Sequence, residues 1–596
     1  MNIKAKLEQG ILLMDGAMGT YYNQLHPNTG EAEEANITHG DWITEIHKQY
    51  IEAGANLICT NTFAINHLLF PEAKERKAQI KAAVSNARAA VGTSNVLIAA
   101  DIGPLRQEMD MEVDAVLAEY GELVDTFLEE DIHIFVLETF AEPDVLKQLA
   151  RIIKQKDEQA FVIGQCTVNL SGYTKFGYSM QRLVTKLGKE EALDVYGFNC
   201  GLGASHYTRM LNSLVYPKEG LVAVVPNAGY QQELRGRLRY TDNPDYYAQQ
   251  MKRIIELGAN VVGGCCGTTP EHIRCLSNII KKEQLVSGKK RVGTVVSGSA
   301  TVEEMEPNIF MEKLESGKEK VFVVELDSPF GADAKRFRKG AFALQENGVD
   351  MITVSDSPMA RARADAFEMA VYVKDKVGAA VMPHIACRDR NLVALRSGIL
   401  GAHINDIRNL LIITGDPVAR EDRSSVTSVF DVNSIRLMEY VKNMNRELFP
   451  QAPMYYGGAL NYAGVNVEAI ITRMNKKIEA GCSYFLSQPV YSKEDIERIA
   501  YLKQRVDTKI LCGLMPLVSY KNALFMKNEM PGIHVPDEVL EQYRPDMSRE
   551  EAEEVAVSVC VDTAKALADV VDGYYIMTPF HRVHLVNRIV NEIRAL

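Results

Sequence analysis

Two (β/α)8 TIM-type barrels joined by a linker are what this sequence predicts. Three observations predict them: a length beyond one hydrophobic core, a helix–glycine–strand step repeated in both halves, and polar clusters placed directly after short apolar strands. The 596 residues exceed what a single core usually spans, so two domains of about 250–300 residues each are expected. Apolar residues at 46% and charged residues at 24% are ordinary for a globular chain with a large interior.

The repeated step is explicit in four places. Glu52-Ala53-Gly54-Ala55 precedes Leu57-Ile58-Cys59-Thr60, and Glu256-Leu257-Gly258-Ala259 precedes Val261-Val262-Gly263. In the second half, Glu346-Asn347-Gly348-Val349 precedes Met351-Ile352-Thr353-Val354, and Glu479-Ala480-Gly481-Cys482 precedes Tyr484-Phe485-Leu486. Glycine just past a helix end, followed by a short buried strand, marks a helix-to-strand step of a parallel sheet. Val96–Ala100, Ile134–Leu137, Phe161–Gly164, Leu410–Ile413 and Lys509–Cys512 read as further strands of the same kind. A doubly wound open sheet is the competing architecture. No strand is followed by the Gly-x-Gly-x-x-Gly helix start that its dinucleotide-binding version needs. Lys281–Lys320 interrupts the rhythm with Ser, Gly and clustered charge, a linker composition with room for one short helix. The expected domains are 1–285 and 315–596, with 286–314 as linker.

Charge and composition narrow the partners. The net charge of −12 arises from 78 acidic and 66 basic residues, and no run of Lys or Arg offers a stripe for phosphates, so nucleic acid is excluded. No stretch supplies the ~20 apolar residues of a membrane span. Ile11-Leu12-Leu13-Met14 is too short for the core of a signal peptide. The 10 cysteines are scattered through a long chain, which points to reduced thiols and a cytoplasmic setting. An acidic soluble chain fits many assemblies, a homo-oligomer among them.

In the first half, Gly263-Gly264-Cys265-Cys266-Gly267 follows one strand and Gly197-Phe198-Asn199-Cys200-Gly201 another. From strand ends flanked by glycines, the adjacent sulfurs and a third can converge on one metal. Three thiolates leave tetrahedral zinc an open position, the condition for a catalytic site. A soft, thiolate-bound zinc suits a substrate sulfur, which coordination would deprotonate and hold as a nucleophile. The remaining cysteines, Cys59, Cys166, Cys275, Cys387, Cys482, Cys512 and Cys560, read as small buried apolar residues.

The order Asp15-Gly16-Ala17-Met18-Gly19-Thr20, Thr60-Asn61-Thr62-Phe63, Glu138-Thr139, Gly197–Cys200 and Gly264–Gly267 resembles the homocysteine S-methyltransferases across nearly the whole first domain. The resemblance implies Cys200, Cys265 and Cys266 as Zn2+ ligands with homocysteine sulfur as the added ligand. It further implies Asp15 and Glu138 for the substrate amino group, and the backbone near Gly16 or Thr62 for its carboxylate.

In the second half, the apolar strand Val321-Phe322-Val323-Val324 closes on Glu325. A carboxyl there would emerge at a barrel mouth, where burial raises its pKa toward general-acid work. Leu411-Ile412-Ile413-Thr414-Gly415-Asp416-Pro417 repeats the arrangement, and Phe485-Leu486-Ser487-Gln488-Pro489 supplies an amide. Together with Pro383-His384-Ile385-Ala386-Cys387, Lys477-Ile478-Glu479-Ala480-Gly481 and Gly513-Leu514-Met515-Pro516, these motifs resemble the methylenetetrahydrofolate reductases along essentially the entire second half. The resemblance implies FAD held around His384, Gly415, Asp416 and Lys477, with Asp416 beside the flavin pyrimidine ring. It implies folate contacts from Gln488 and Tyr520, and protonation of the folate imidazolidine nitrogen by Glu325. NAD(P)H is the implied electron donor. Two departures stand out: Thr414 where many members carry arginine, and Leu326-Asp327-Ser328 where aromatic residues are common.

The two resemblances together imply a bifunctional one-carbon enzyme acting on homocysteine and methylenetetrahydrofolate. No third region for cobalamin is seen, so the methyl donor of the first domain is open, a cobalamin protein in trans being one candidate. The alternative keeps the reductase and gives the first barrel a regulatory or structural zinc.

Overall fold

The computed structural model describes all residues except 1–2, 9, 106–112, 230, 235–236, 241–242, 294–305, 419–425 and 531–532, and leaves out the side chains of 230–242. The chain divides into two compact units, Met1–Gly298 and Ser299–Leu596. Much of the expected linker, 294–305, lies outside the described residues. Upstream of it, Gly288 N donates to Ile255 O and Tyr216 N to Arg291 O, so that stretch runs along the first unit. Downstream, Ile309–Ser316 is helical.

The first unit builds its sheet from β1 (Leu12–Leu13), β2 (Leu57–Cys59), β3 (Leu97–Ile102), β4 (Ile134–Phe140), β5 (Phe161–Cys166), β6 (Val195–Gly203), β7 (Leu221–Asn227) and, after a hairpin of β8 (Gln231–Leu234) and β9 (Arg237–Tyr240), β10 (Val261–Val262). All eight sheet strands are parallel, in the order β1-β10-β7-β6-β5-β4-β3-β2. Asn56 N donates to Leu13 O at 2.7 Å and Asp15 N to Leu57 O at 3.0 Å, which joins β1 to β2 and closes the ring.

The second unit is a closed parallel barrel of β11 (Val321–Leu326), β12 (Met351–Val354), β13 (Val381–Ala386), β14 (Asn409–Ile413), β15 (Tyr455–Leu460), β16 (Tyr484–Pro489), β17 (Lys509–Leu514) and β18 (Gly573–Met577), in sequence order. The architecture is thus two TIM-type barrels, as the sequence predicts. At the four helix–glycine–strand steps the glycine has positive φ, from 68° at Gly348 to 110° at Gly54, a conformation that favours a residue without Cβ.

Strand alternation sorts each core into two layers. In the first barrel Leu12, Leu57, Val195 and Val261, each the first residue of its strand, face inward with Ala99, Val136, Ile163, Ala223 and Val225. Leu13, Ile58, Ala100, Phe135 and Val162 face the surrounding helices. The floor is closed from below by the helix Ile3–Glu8, whose Ile3 and Leu7 join the inner cluster. The second barrel repeats the device. Phe310, Met311 and Leu314 of the helix Ile309–Ser316 pack on Val321, Met351 and Tyr484, with Phe310 edge-on to Tyr484 at 5.6 Å. Asn308 caps this helix, accepting from Met311 N at 3.2 Å, and its amide ties the turn to Asn409 at the start of β14. With each floor filled, the open space lies at the C-terminal strand ends, where the polar motifs emerge.

Candidate active sites at the two barrel mouths

In the first barrel the three predicted sulfur ligands meet. Sγ of Cys200, Cys265 and Cys266 all lie within 4.8 Å of one another, with Cys200 to Cys266 at 3.7 Å. The backbone accounts for this convergence. Cys265 N donates to Pro226 O, Ala228 N to Cys266 O and Gly264 N to Asp15 O, so the vicinal pair is laced between the ends of β7 and β1. A Cβ on Gly264 would come within 2.4 Å of Thr268 Oγ1, which explains why glycine precedes the pair. Cys200 itself sits at φ 53° where β6 loses register with β7, and Thr139 at φ 65° where β4 loses register with β5. Such left-handed non-glycine residues are held only where surroundings over-determine them. Here the buried Asn199 does so: Oδ1 accepts from Thr139 N at 2.7 Å and Nδ2 donates to Glu138 Oε2 at 2.6 Å. Three buried tyrosines grip the same loops by carbonyls: Tyr207 on Cys200, Tyr247 on Gly263 and Tyr50 on Ala17. Hydrogen bonds from Cys265 and then Cys266 hold the Cys200 thiol far below its usual value, while contact with Cys200 pushes both partners up. A soft three-sulfur donor set of this kind fits zinc.

Beside the sulfurs lie more carboxyls than the motif readings name. Asp15 accepts from Cys59 N at 2.9 Å, and burial pushes it up to about 8. Glu138 is pushed up to about 7, first by burial and then by the charge of Cys200. Asp101, closing β3, is 7% exposed, shares a hydrogen bond with Glu138, and is raised well above the carboxylate range by burial and then by Glu138. Its Oδ1 has no partner. A cluster of buried acids with an unsatisfied oxygen is complementary to an ammonium group. Gly16 stands where a Cβ would touch Tyr50 and Thr268 at 2.7 and 2.8 Å, so side chain is excluded there. Thr62 turns inward, donating by Oγ1 to Asp101 O at 2.6 Å, and its N–H is engaged by Thr60 O. Asp101 and Asn199 were not singled out as site residues from the sequence. Both carried a signal, Asp101 as an acid within the apolar β3 and Asn199 as the residue before Cys200.

In the second barrel Glu325 faces inward near the end of β11 and is pushed up to about 7, first by burial and then by Asp327. Tyr575 on β18 donates its hydroxyl to Glu325 Oε2, and His384 Nε2 approaches the same oxygen at 3.6 Å. His384 is buried, pushed down to about 3 by that burial, and Nε2 has no hydrogen-bond partner. The two sequence departures have local partners. Asp327 pairs with Arg363 at 3.3 Å and accepts from Ser355 Oγ, and Thr414 Oγ1 donates to Ser434 at 3.2 Å.

A cavity of about 570 Å³ in the same unit is lined by Thr414, Asp416, Asn461, Arg473 and Lys477 among others. Lys477 is 6% exposed, donates to Ala459 O at 2.8 Å and is pushed down to about 8 by burial. Gly458 makes room for it, since a Cβ there would meet Lys477 Cδ at 3.1 Å. Asp416 Oδ2 accepts from Met359 N at 2.7 Å, and its carbonyl from the buried Arg388 at 3.0 Å. Gly415 has φ 90° and lies against Arg388 and Ala386. The structure thus brings Asp416 and Lys477 to one cavity while His384 faces Glu325. Gln488 lies where β16 loses register with β17, and Tyr520 opens the helix Tyr520–Glu529; neither hydrogen-bonds Glu325 among the described residues. A cavity of this size, with cationic, amide and carboxylate groups on its wall, fits a nucleotide-type cofactor such as FAD.

Among the described residues, no helix is long and apolar enough to cross a membrane. Comparison with known proteins separates the two units. A family described as Homocysteine S-methyltransferase matches residues 12–280, and one described as Methylenetetrahydrofolate reductase matches residues 311–594. "Methionine synthase" of Mycobacterium tuberculosis (strain ATCC 25618 / H37Rv) is 25% identical over 343 residues, which is 53% of this chain and 29% of that protein. The chain therefore spans less than a third of that relative's length. The homocysteine methyltransferase MmuM from Escherichia coli aligns in its metallated and oxidized forms at 21% identity, covering 46% of this chain and 99% of the other, with TM-scores of 0.39 and 0.40. The chain belongs to the homocysteine S-methyltransferase family through its first unit and to the methylenetetrahydrofolate reductase family through its second, both families of enzymes.

Proposed function

We propose that the first unit methylates homocysteine to methionine on a zinc held by Cys200, Cys265 and Cys266, and that the second reduces 5,10-methylenetetrahydrofolate to 5-methyltetrahydrofolate with FAD and NAD(P)H. The observation that carries the reading is the convergence of three sulfurs at one mouth, in the unit that matches the methyltransferase family. Functional boundaries follow as 1–285 and 315–596, with 286–314 between them. The helix Ile309–Ser316, which straddles the second boundary, packs with the reductase unit.

Bound zinc supplies the Lewis acidity that keeps the homocysteine sulfur a thiolate near neutral pH. Asp15, Asp101 and Glu138 receive the substrate ammonium, and its carboxylate lies against the backbone near Gly16 or Thr62. Asn199 orients Glu138 and holds the Thr139 turn.

In the second unit, bound FAD, once reduced by NAD(P)H, would supply the hydride. Glu325 delivers a proton to the folate ring nitrogen; Gln488 and Tyr520 hold the folate. Gly415, Asp416, Lys477 and His384 hold the cofactor. The methyl donor of the first unit is a methylcobalamin protein acting in trans, a methylated sulfur compound or the methylated folate itself, and the assay distinguishes them. The "Methionine synthase" likeness supports methionine as the product of the first unit.

One preparation tests the whole reading. The expected result is stoichiometric zinc, a flavin absorption spectrum bleached anaerobically by NADH or NADPH, and methionine formed from homocysteine with one donor class. A zinc-loaded protein that forms no methionine with any of these three donors contradicts the first half, and a colourless protein that cannot be reconstituted with FAD contradicts the second.

A further inference from the structure

Two tyrosines stand side by side on β18 and point to opposite sides of the barrel wall. Tyr574 turns outward, its hydroxyl donating to Ala564 O at 2.9 Å. Tyr575 turns inward among Val321, Val323 and Met351, is 6% exposed, and donates to Glu325 Oε2. Burial, then the charge of Glu325, pushes the Tyr575 phenol well above its usual range, so it stays a donor. Across the barrel, neutral His384 sets its otherwise unpartnered Nε2 3.6 Å from the same oxygen. Both neighbours thus address Oε2, while the Glu325 side chain keeps 19% of its surface open.

We propose that Tyr575 is a positioning residue for the acid of the second barrel: by occupying Oε2 as a donor, it leaves the transferable proton on Oε1 and fixes the plane in which that proton is presented. The inference rests on the reading of Glu325 as general acid and deepens it. A carboxyl that accepts a hydrogen bond at one oxygen carries its own proton on the other. When that proton passes from Oε1 to the substrate nitrogen, the Tyr575 hydroxyl keeps its hydrogen and stabilises the carboxylate left behind. A proton from water at the mouth then restores the acid. The groups facing Glu325 are Tyr575 from β18, His384 from β13, Asp327 from its own loop and Arg363 from the loop after β12. Asp327 raises the carboxyl, whereas Arg363 and the Tyr575 hydrogen bond lower it. His581, after β18, faces Asp327 and Arg363.

The test compares Tyr575→Phe with Tyr574→Phe, which removes an equally buried hydroxyl from the outer face, and with Glu325→Gln. Two readouts are taken: the infrared carboxylic C=O band of the purified protein against pH, and single-turnover reduction of methylenetetrahydrofolate by pre-reduced enzyme against pH. Glu325→Gln removes the band and so assigns it. Tyr575→Phe is expected to move the band's titration midpoint up by about one pH unit and to slow the low-pH turnover about tenfold. Tyr574→Phe is expected to move neither. Biosynthetic replacement by 3-fluorotyrosine, whose phenol is the stronger donor, should move the midpoint down, and this measurement stands even where Tyr575→Phe fails to fold. A midpoint unmoved in Tyr575→Phe, or moved equally by Tyr574→Phe, overturns the inference while an inert Glu325→Gln leaves the acid assignment standing. Glu325→Gln turning over like wild type overturns that assignment and the inference with it.

Discussion

The first mouth gathers three thiols and three buried carboxyls. The second sets one carboxyl beneath a phenol and a neutral imidazole, with the Asp327–Arg363 pair facing it, and places Arg473 and Lys477 on the wall of a separate cavity. On one scaffold, the first arrangement accumulates negative charge that a metal and an ammonium can neutralise. The second suppresses charge so that a proton stays available near neutral pH. The strand ends decide which: glycine-flanked cysteines with extra acids in one case, a single acid closing an apolar strand in the other.

The largest expected effect breaks the first arrangement alone. Cys265→Ala should lose zinc retention and methyl transfer, beyond the roughly hundredfold loss typical of a disturbed outer ligand partner. Flavin reduction in the same preparation should persist, and loss of both would refute independent chemistry at the two mouths.

Next in size is the proton of the second mouth. Glu325→Gln should slow folate reduction by about 10²–10⁴ while the flavin spectrum remains. In wild type, a carboxyl raised to about 7 acts in its protonated form, so the folate half-reaction should fall as pH rises through about 7. A rate that climbs across that window would contradict acid catalysis by Glu325.

A smaller, two-signed effect is expected at Asp101. Its carboxyl holds its proton more tightly folded than unfolded, so the linked stabilisation is complete below the usual carboxylate pKa and is lost as pH rises through the raised folded value. Asp101→Asn removes that liability and should stabilise the ligand-free protein at pH 8 by about 1–3 kcal/mol in denaturant melts. The same change should raise the KM for homocysteine about tenfold, by removing one acceptor for its ammonium. Stability gained without loss of affinity would show that the third acid is not part of the substrate site.

The smallest effect sharpens the second side. Lys477→Met should weaken FAD retention several-fold, about 1 kcal/mol for one hydrogen bond, with methyl transfer untouched. Equilibrium dialysis against FAD measures it.

Local signals made much of this legible in the sequence. The helix–glycine–strand steps, the glycine-flanked cysteines and Glu325 each announce themselves within a few residues. Strand ends were harder to read, because a ladder does not stop where side chains turn polar: β4 runs on through Glu138 and Thr139 to Phe140, beyond the Leu137 at which its apolar run ends. Asp101 follows the same logic as Glu325, an acid next to last in an apolar strand, but no neighbouring motif marks it. Tyr575 could not be read at all, being 250 residues from its partner in a run that looks like ordinary core. Only strand parity separates it from Tyr574. His384 matched a motif, but its approach to Glu325 depends on barrel closure, which no local pattern encodes.

The short helices that seal each barrel from beneath have a practical corollary for anyone dividing the protein. A reductase fragment cut to begin at Val321 would bare Val321, Met351 and Tyr484 to water, whereas one beginning upstream of Asn308 carries its own stopper. Trimming the first residues through Glu8 would likewise uncork the methyltransferase half, so in both halves integrity begins before the first strand.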